Sequence, residues 1–438
     1  MYGGGQWVVE HWWYRLAHVC QRWRNLILGS ASYLGLCLVC THDTPVADML
    51  AHSPPLPLVI DYQDHDITAD DEEAIILALT QRDRVRRIRL GIPVLKLQKP
   101  IMVIDGEYPI LEHLILRDPA EKTSGPVLIL PETLQTPRLR HLDINFSIQI
   151  PIRAPLLGTA AGLIVLSLAM DLPSTYFQPA DLIRWLSLMP RLEILMIFFF
   201  SPVSNHDVER QLMRTPITTH VTLPNLRTFT FQAVSAYSEA VLSRVTAPCL
   251  QHFQICYFEQ LTFSVPQLLQ FMGRIENLRF DRVKFFCGRE VYMVANPPGT
   301  NLPSAGFSIY VWCWPLDLQV SSMAQILNTL SQMFSTVEHL TLGHEEDSDL
   351  SEEHDEVDRA EWRKLLRSFS NVKTLCIDNE LVGELTRCLR LEDGESPLEL
   401  LPELQELIYP GSGNTDDAFT PFIDARKSAG RPVTLIKS

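Results

Sequence analysis

The octet Pro-x-Leu-x-x-Leu-x-Leu is the feature that most restricts this chain, because a motif returning at a regular interval forces successive segments into one local structure. It stands at Pro109–Leu116 (PILEHLIL), Pro137–Ile144 (PRLRHLDI), Pro190–Ile197 (PRLEILMI), Pro224–Phe231 (PNLRTFTF), Pro248–Ile255 (PCLQHFQI) and Pro402–Tyr409 (PELQELIY). Copies without the proline begin at Val85, Leu163, Ile275, Phe307, Val337 and Val372. The first apolar positions of the twelve copies lie 24 (139 to 163) to 35 (337 to 372) residues apart, which is a solenoid period. Counted from that position, the fourth and sixth residues are apolar and alternate with polar ones. This is the period-two pattern of a short strand with one buried face, entered by a turn that the first position anchors.

Between the copies, Asp70–Gln81, Ala180–Met189, Ser238–Val245, Ser321–Phe334, Glu361–Phe369 and Asp417–Lys427 space their apolar residues as helices do. One strand and one helix per repeat predicts an α/β fold: a leucine-rich-repeat-like right-handed solenoid of about twelve irregular repeats over residues 46–438, capped by Asp417–Ser438. An ordinary parallel sheet between helices would also show short apolar runs, but not twelve in phase. Three residues after the sixth position, from Pro93 to Ser412, no copy has the Asn or Cys of regular leucine-rich repeats, so uneven curvature is expected.

Composition narrows the function. Lys plus Arg number 37 against 52 Asp plus Glu, a formal charge of −15, the wrong sign for binding nucleic acid or an anionic membrane surface. Nine unpatterned cysteines read as reduced thiols, which suits cytoplasm or nucleus. Asn25–His42 carries no formal charge, but Gly29, Ser30, Ser32 and Gly35 interrupt it, and it is no spanning helix.

The sequence holds no G-x-x-x-x-G-K-[ST], G-x-S-x-G, H-E-x-x-H or G-x-G-x-x-G, so no catalytic residue, cofactor or metal is expected. Gly411-Ser412-Gly413 reads as a turn, and Cys37, Cys40 and His42 as buried thiols beside a histidine rather than a zinc site. His113, His141, His252 and His339 share the third position of their repeats, a polar surface column. Residues 344–358 contain nine carboxylates and no Lys or Arg, the composition of a solvated acidic loop.

Residues 1–45 lie outside the repeat. Leu16, Val19, Cys20, Trp23, Leu26 and Ile27 fall at helical spacing on one face, with Arg22, Arg24 and Asn25 mostly outside it. The run Val19-Cys20-Gln21-Arg22-Trp23-Arg24, then Ile27, Gly29-Ser30 and an apolar Leu34 to Val39, resembles the second half of an F-box, in which a VC-x-x-W core precedes a loop and a closing helix. With irregular repeats behind it, the layout is similar to that of fungal F-box proteins with a leucine-rich-repeat-like C-terminal region. The Leu-Pro-led first half of the motif is not found in Met1–Glu10, so either the chain begins late or the F-box is degenerate.

The resemblance implies a non-catalytic substrate-recognition subunit of a cullin-RING (SCF-type) ubiquitin ligase. Leu16, Val19, Cys20, Trp23 and Leu26 would bind the adaptor protein, and the repeats would bind an unknown protein substrate. The alternative is a repeat scaffold that never joins a ligase. For substrate, the third, fifth and seventh positions of the repeats give His113, Ile115, Arg117, His141, Asp143, Asn145, Phe198, Gln232, Arg279 and Asp281, with Met196 beside them. Exposed Ile115, Met196 and Phe198 among charges suit an apolar centre with a polar rim.

Overall fold

The computed structural model describes residues 12–30, 34–63, 66–119, 127–145, 148–151, 155–171, 176–275, 278–299, 306–313, 315–345, 359–391, 395–410 and 418–437. Most of the predicted acidic loop, residues 346–358, lies outside them. The chain forms two compact units, residues 1–177 with 188–192 and residues 178–187 with 193–438.

In the first unit, the strands are β1 (Leu38–Cys40), β2 (Leu58–Tyr62), β3 (Val85–Gly91), β4 (His113–Arg117), β5 (Leu128–Ile129), β6 (His141–Ile144), β7 (Ile148–Gln149) and β8 (Val165–Met170). Its helices are α1 (Trp12–Ala17), α2 (Gln21–Gly29), α3 (Val46–His52), α4 (Ala69–Leu79), α5 (Val94–Val103) and α6 (Pro155–Thr159). The order β1-β2-β3-β4-β6-β8 is parallel throughout, while β5 and β7 pair separately. The helix expected over Asp70–Gln81 is α4. Its start is set by a capping box in which Thr68 Oγ1 accepts from Asp71 N–H and the Asp71 carboxylate accepts from Thr68 N–H.

In the second unit, α7 (Pro179–Leu186), β9 (Ile194–Phe199), α8 (Asn205–Arg214), β10 (Val221–Thr222), β11 (Thr228–Ala233), α9 (Ser235–Leu242), β12 (Val245–Thr246), β13 (His252–Phe258) and α10 (Pro266–Gly273) come first. There follow β14 (Arg282–Cys287), β15 (Val291–Asn296), β16 (Gly306–Trp312), α11 (Leu316–Leu330), β17 (His339–His344), α12 (Arg359–Arg367), β18 (Thr374–Ile377), α13 (Val382–Leu389), β19 (Glu406–Tyr409), α14 (Thr420–Ser428) and β20 (Thr434–Lys437). The sheet order here is β9-β11-β13-β16-β15-β14-β17-β18-β19-β20.

The recurring proline has a local cause. The N–H of each first apolar residue, Leu111, Leu139, Leu192, Leu226, Leu250 and Leu404, donates to the carbonyl three residues back at 3.0–3.4 Å. That closes a β-turn with the proline second in it, where its fixed φ fits. The turn delivers the first, fourth and sixth residues to the core. Leu111, Leu114 and Leu116 are fully buried, as are Leu139 and Leu142, Leu192 and Leu195, Leu404 and Leu407. Each such leucine contributes about 1.5–3 kcal/mol relative to exposure. In the second unit the column widens to phenylalanine, with Phe229 against Phe253 at 5.6 Å and Phe253 against Phe307 at 5.5 Å.

The repeat is interrupted between β13 and β17. The copy at Ile275 does not become a strand in its predicted frame: β14 starts only at Arg282, and β15 pairs antiparallel with both β14 and β16. The meander enters the sheet between β13 and β17, so that β16, the copy at Phe307, lies beside β13.

Two further differences concern the N-terminal segment. A single amphipathic helix over Leu16–Ile27 is expected, but the chain turns at His18–Cys20 and makes two short helices, because Cys20 has extended backbone (φ −161°, ψ 167°). Leu38–Cys40, where the resemblance implies a closing helix, is strand β1, paired with β2.

Candidate surfaces on the helical pair and the strand faces

The α1–α2 pair buries Trp13, Ala17 and Ile27, which therefore hold it to the rest of its unit or to itself. Three other large apolar side chains stay in solvent: Val19 is 63% exposed, Leu26 60% and Trp23 47%. Cys20 is exposed and Leu16 half-buried. Arg24 Nε donates to Ala17 O at 3.1 Å, tying the second helix to the first. An exposed apolar group of this size on two short helices has the character of an interface rather than of a core.

On the strand face of the first unit, His113 and His141 are register partners with ring centroids 5.6 Å apart. Burial, with the Arg87 guanidinium next, pushes His113 down to about 4, and burial also lowers His141. Both rings are therefore neutral at physiological pH. Ile115 is half-buried and pairs with Asp143, whose carboxylate accepts from Arg117 Nε at 3.2 Å and pairs with its Nη2. Asn145, just after β6, accepts from Asp118 N–H at 2.8 Å. Asp143 is only 4% exposed, so it orients Arg117 rather than offering itself to a partner.

In the second unit, Phe198 and Met196 lie half-buried on β9. Gln232 is buried and donates from Nε2 to Phe199 O at 2.9 Å, which makes it a tie between strands rather than a contact residue. Arg279 and Asp281 precede β14 and stand off the strand columns. The carbonyl of Asp281 instead accepts from Glu338 N–H at 2.9 Å and His339 N–H at 3.0 Å. Those two predictions carry the frame of the Ile275 copy, which the antiparallel insertion replaces.

Sequence periodicity overlooks a belt of rings on this same face. Trp312 is 43% exposed at the end of β16, with Tyr310 two residues before it, Tyr292 on β15 beside Tyr310, and Phe286 on β14 beside Tyr292. Their alternation with Ile309 and Val311 was the available signal. The belt exists because the insertion places three aromatic-bearing strands side by side.

Among the described residues no group of three or more His, Cys, Asp or Glu could hold a metal ion, and no helix is long and apolar enough to cross a membrane. No family model matches the sequence, and comparison with curated proteins returns no match. Among solved structures, the chain is similar to one in the crystal structure of a TLR13–ssRNA13 complex, at 12% identity and a TM-score of 0.30. That alignment covers 91% of this chain and 48% of the other, so the chain spans about half the length of the protein it matches.

Proposed function

We propose that this chain is a non-catalytic recognition subunit in which the α1–α2 pair binds an adaptor of an SCF-type ubiquitin ligase and the strand faces bind the substrate. In this reading the strand-helix repeats belong to a leucine-rich-repeat-like right-handed solenoid. The observation that carries it is the exposure of Val19, Trp23 and Leu26 on a helical pair whose sequence resembles half of an F-box. A tryptophan flanked by two aliphatic side chains is the composition of an interface hot spot. No group on the chain would perform chemistry. Its contribution would be to hold a target lysine near a transferase bound elsewhere in the complex, which raises the effective concentration of the two reactants.

Trp23→Ala should abolish co-purification with the adaptor while circular dichroism stays native, because Trp23 is half-exposed and absent from the buried core. A wild-type chain that never co-purifies with the adaptor at near-physiological concentration would sink the ligase reading. The same repeats would then serve a scaffold protein whose helical pair binds something else.

A further inference from the structure

The charge of the α1–α2 pair runs against that of the chain that carries it. None of the 52 Asp and Glu residues falls within residues 11–42, whereas Arg15, Arg22 and Arg24 all do, in a chain of formal charge −15. All three arginines are exposed. Among the described residues none of the three forms an ion pair, and Arg24 engages only its Nε, which donates to Ala17 O at 3.1 Å.

These guanidiniums border the exposed apolar side chains. On α2, Arg22 and Leu26 stand one turn apart and Trp23 lies three residues before Leu26, so that Leu26 falls between Arg22 and Trp23 around the helix. Ile27 comes next beyond Trp23 and is buried, and Arg24 follows it, tied to α1 through Ala17. The order around the helix is therefore a cation, an apolar pair, the inward contact and a second cation. Arg15 stands in the last turn of α1, and Val19 lies in the turn between the two helices.

We propose that the partner of the α1–α2 pair is a protein presenting an apolar cleft bordered by carboxylates, with Val19, Trp23 and Leu26 entering the cleft and Arg15, Arg22 and Arg24 meeting the border. A guanidinium carries a fork of donors that a carboxylate accepts in pairs. At the border of an interface such pairs stay partly solvated, so they speed and orient encounter more than they tighten the complex. A basic border would meet like charge. An anionic bilayer fits less well: helices of six and nine residues that turn at His18–Cys20 offer a narrow apolar edge rather than the broad face of an interfacial helix. The overall −15 does not cancel the local cations, because at about 150 mM salt screening limits its reach to about 8 Å. The inference rests on the adaptor-binding reading of this surface and adds the charge that the adaptor carries where it meets the helices.

The test is the association rate of the full chain with the purified adaptor, followed by surface plasmon resonance from about 50 to about 500 mM salt. The wild-type rate should fall as salt rises. Arg15→Gln with Arg22→Gln leaves the Arg24–Ala17 bond in place and should keep native circular dichroism. It should slow association about fivefold or more at the lowest salt, flatten the salt dependence and leave dissociation within about twofold. Arg22→Glu in place of Arg22→Gln should slow association further. A double variant whose association rate and salt dependence match those of the wild type would overturn the acidic border while adaptor binding stands. A wild-type chain that binds no adaptor at any salt would overturn the ligase reading and this inference with it. Wild-type binding to vesicles of equimolar phosphatidylserine and phosphatidylcholine, lost in the double variant and without adaptor binding, would reassign the surface to lipid.

Discussion

Gln319 and Gly288 exchange a reciprocal pair of hydrogen bonds: Gly288 N–H donates to Gln319 Oε1 at 3.3 Å, and Gln319 Nε2 donates back to Gly288 O at 2.7 Å. The same Nε2 donates to Cys313 O at 2.9 Å, and the side chain is 1% exposed. One amide from α11 thus fastens both the β14–β15 turn and the end of β16, two points on the segment that holds the aromatic belt. Gln319→Ala leaves buried backbone groups unpaired, and unfolding in urea should show a loss of about 2–3 kcal/mol. Gln319→Met, which preserves the volume, should lose nearly as much. Full stability in the Met variant would place the contribution in packing instead.

Gly306 opens β16 with φ +127°, and a Cβ there would stand 2.2 Å from the carbonyl oxygen of Ala295. Both the dihedral and the contact with backbone oppose any side chain. Gly306→Ala should cost about 2 kcal/mol or more, with the loss read as a lower denaturant midpoint at an unchanged slope.

Arg426 is fully buried on α14 and donates to three backbone carbonyls: Pro397 at 3.3 Å, Pro402 at 3.0 Å and Leu404 at 3.1 Å. A planar fork can reach several carbonyls at once, whereas a lysine ammonium is a single point. Arg426→Lys should therefore lose about 2 kcal/mol, on the scale of hydrogen bonds to a charged group. A Lys variant as stable as the wild type would show that only the charge matters.

Glu239 and His113 should contribute pH dependences of stability that run in opposite directions. Glu239 on α9 accepts from Gln267 N–H at 2.6 Å and Leu268 N–H at 3.0 Å, yet burial dominates and pushes its carboxyl up to about 7. The folded chain then holds a proton that the unfolded chain releases from 4.5 upward, so this group lowers stability as pH rises from 4.5 to about 7. His113, pushed down to about 4, acts oppositely: the unfolded chain binds the proton first, and stability falls as pH drops from 6.5 to about 4. Thermal scans across that range should show Glu239→Gln flattening the neutral side and His113→Gln the acid side. A Glu239→Gln curve parallel to that of the wild type would rule out its ionisation as the cause.

The repeat was legible because it is written locally. A proline in the second place of a β-turn, and apolar residues at the first, fourth and sixth positions, fix the turn, the strand and its buried face without reference to any distant residue, and Leu111, Leu114 and Leu116 occupy the core as their spacing requires. The helical segments followed for the same reason, α4 and α12 among them. Of the surface positions, His113 and His141 came together as register demanded, since parallel strands in phase bring equal positions side by side, whereas Arg117 reaches diagonally to Asp143, the register partner of Ile115.

What depends on which strand pairs with which was not written locally. Nothing within Ile275–Trp312 distinguishes a strand-helix repeat from an antiparallel meander, because both show short apolar runs; the choice is made by the neighbours β13 and β17 that the meander joins. That choice moved Arg279 and Asp281 off the strand face and assembled Phe286, Tyr292 and Tyr310 from three strands on it. Accessibility was likewise a tertiary decision. Gln232 and Asp143 occupy outward columns but are covered by their neighbours, whereas Trp23 and Trp312 remain in solvent, because a side chain's burial depends on the sizes of the residues packed beside it rather than on its own place in the pattern. The sequence by itself therefore determined the repeating unit and its core, and the pairing of strands decided which side chains face a partner.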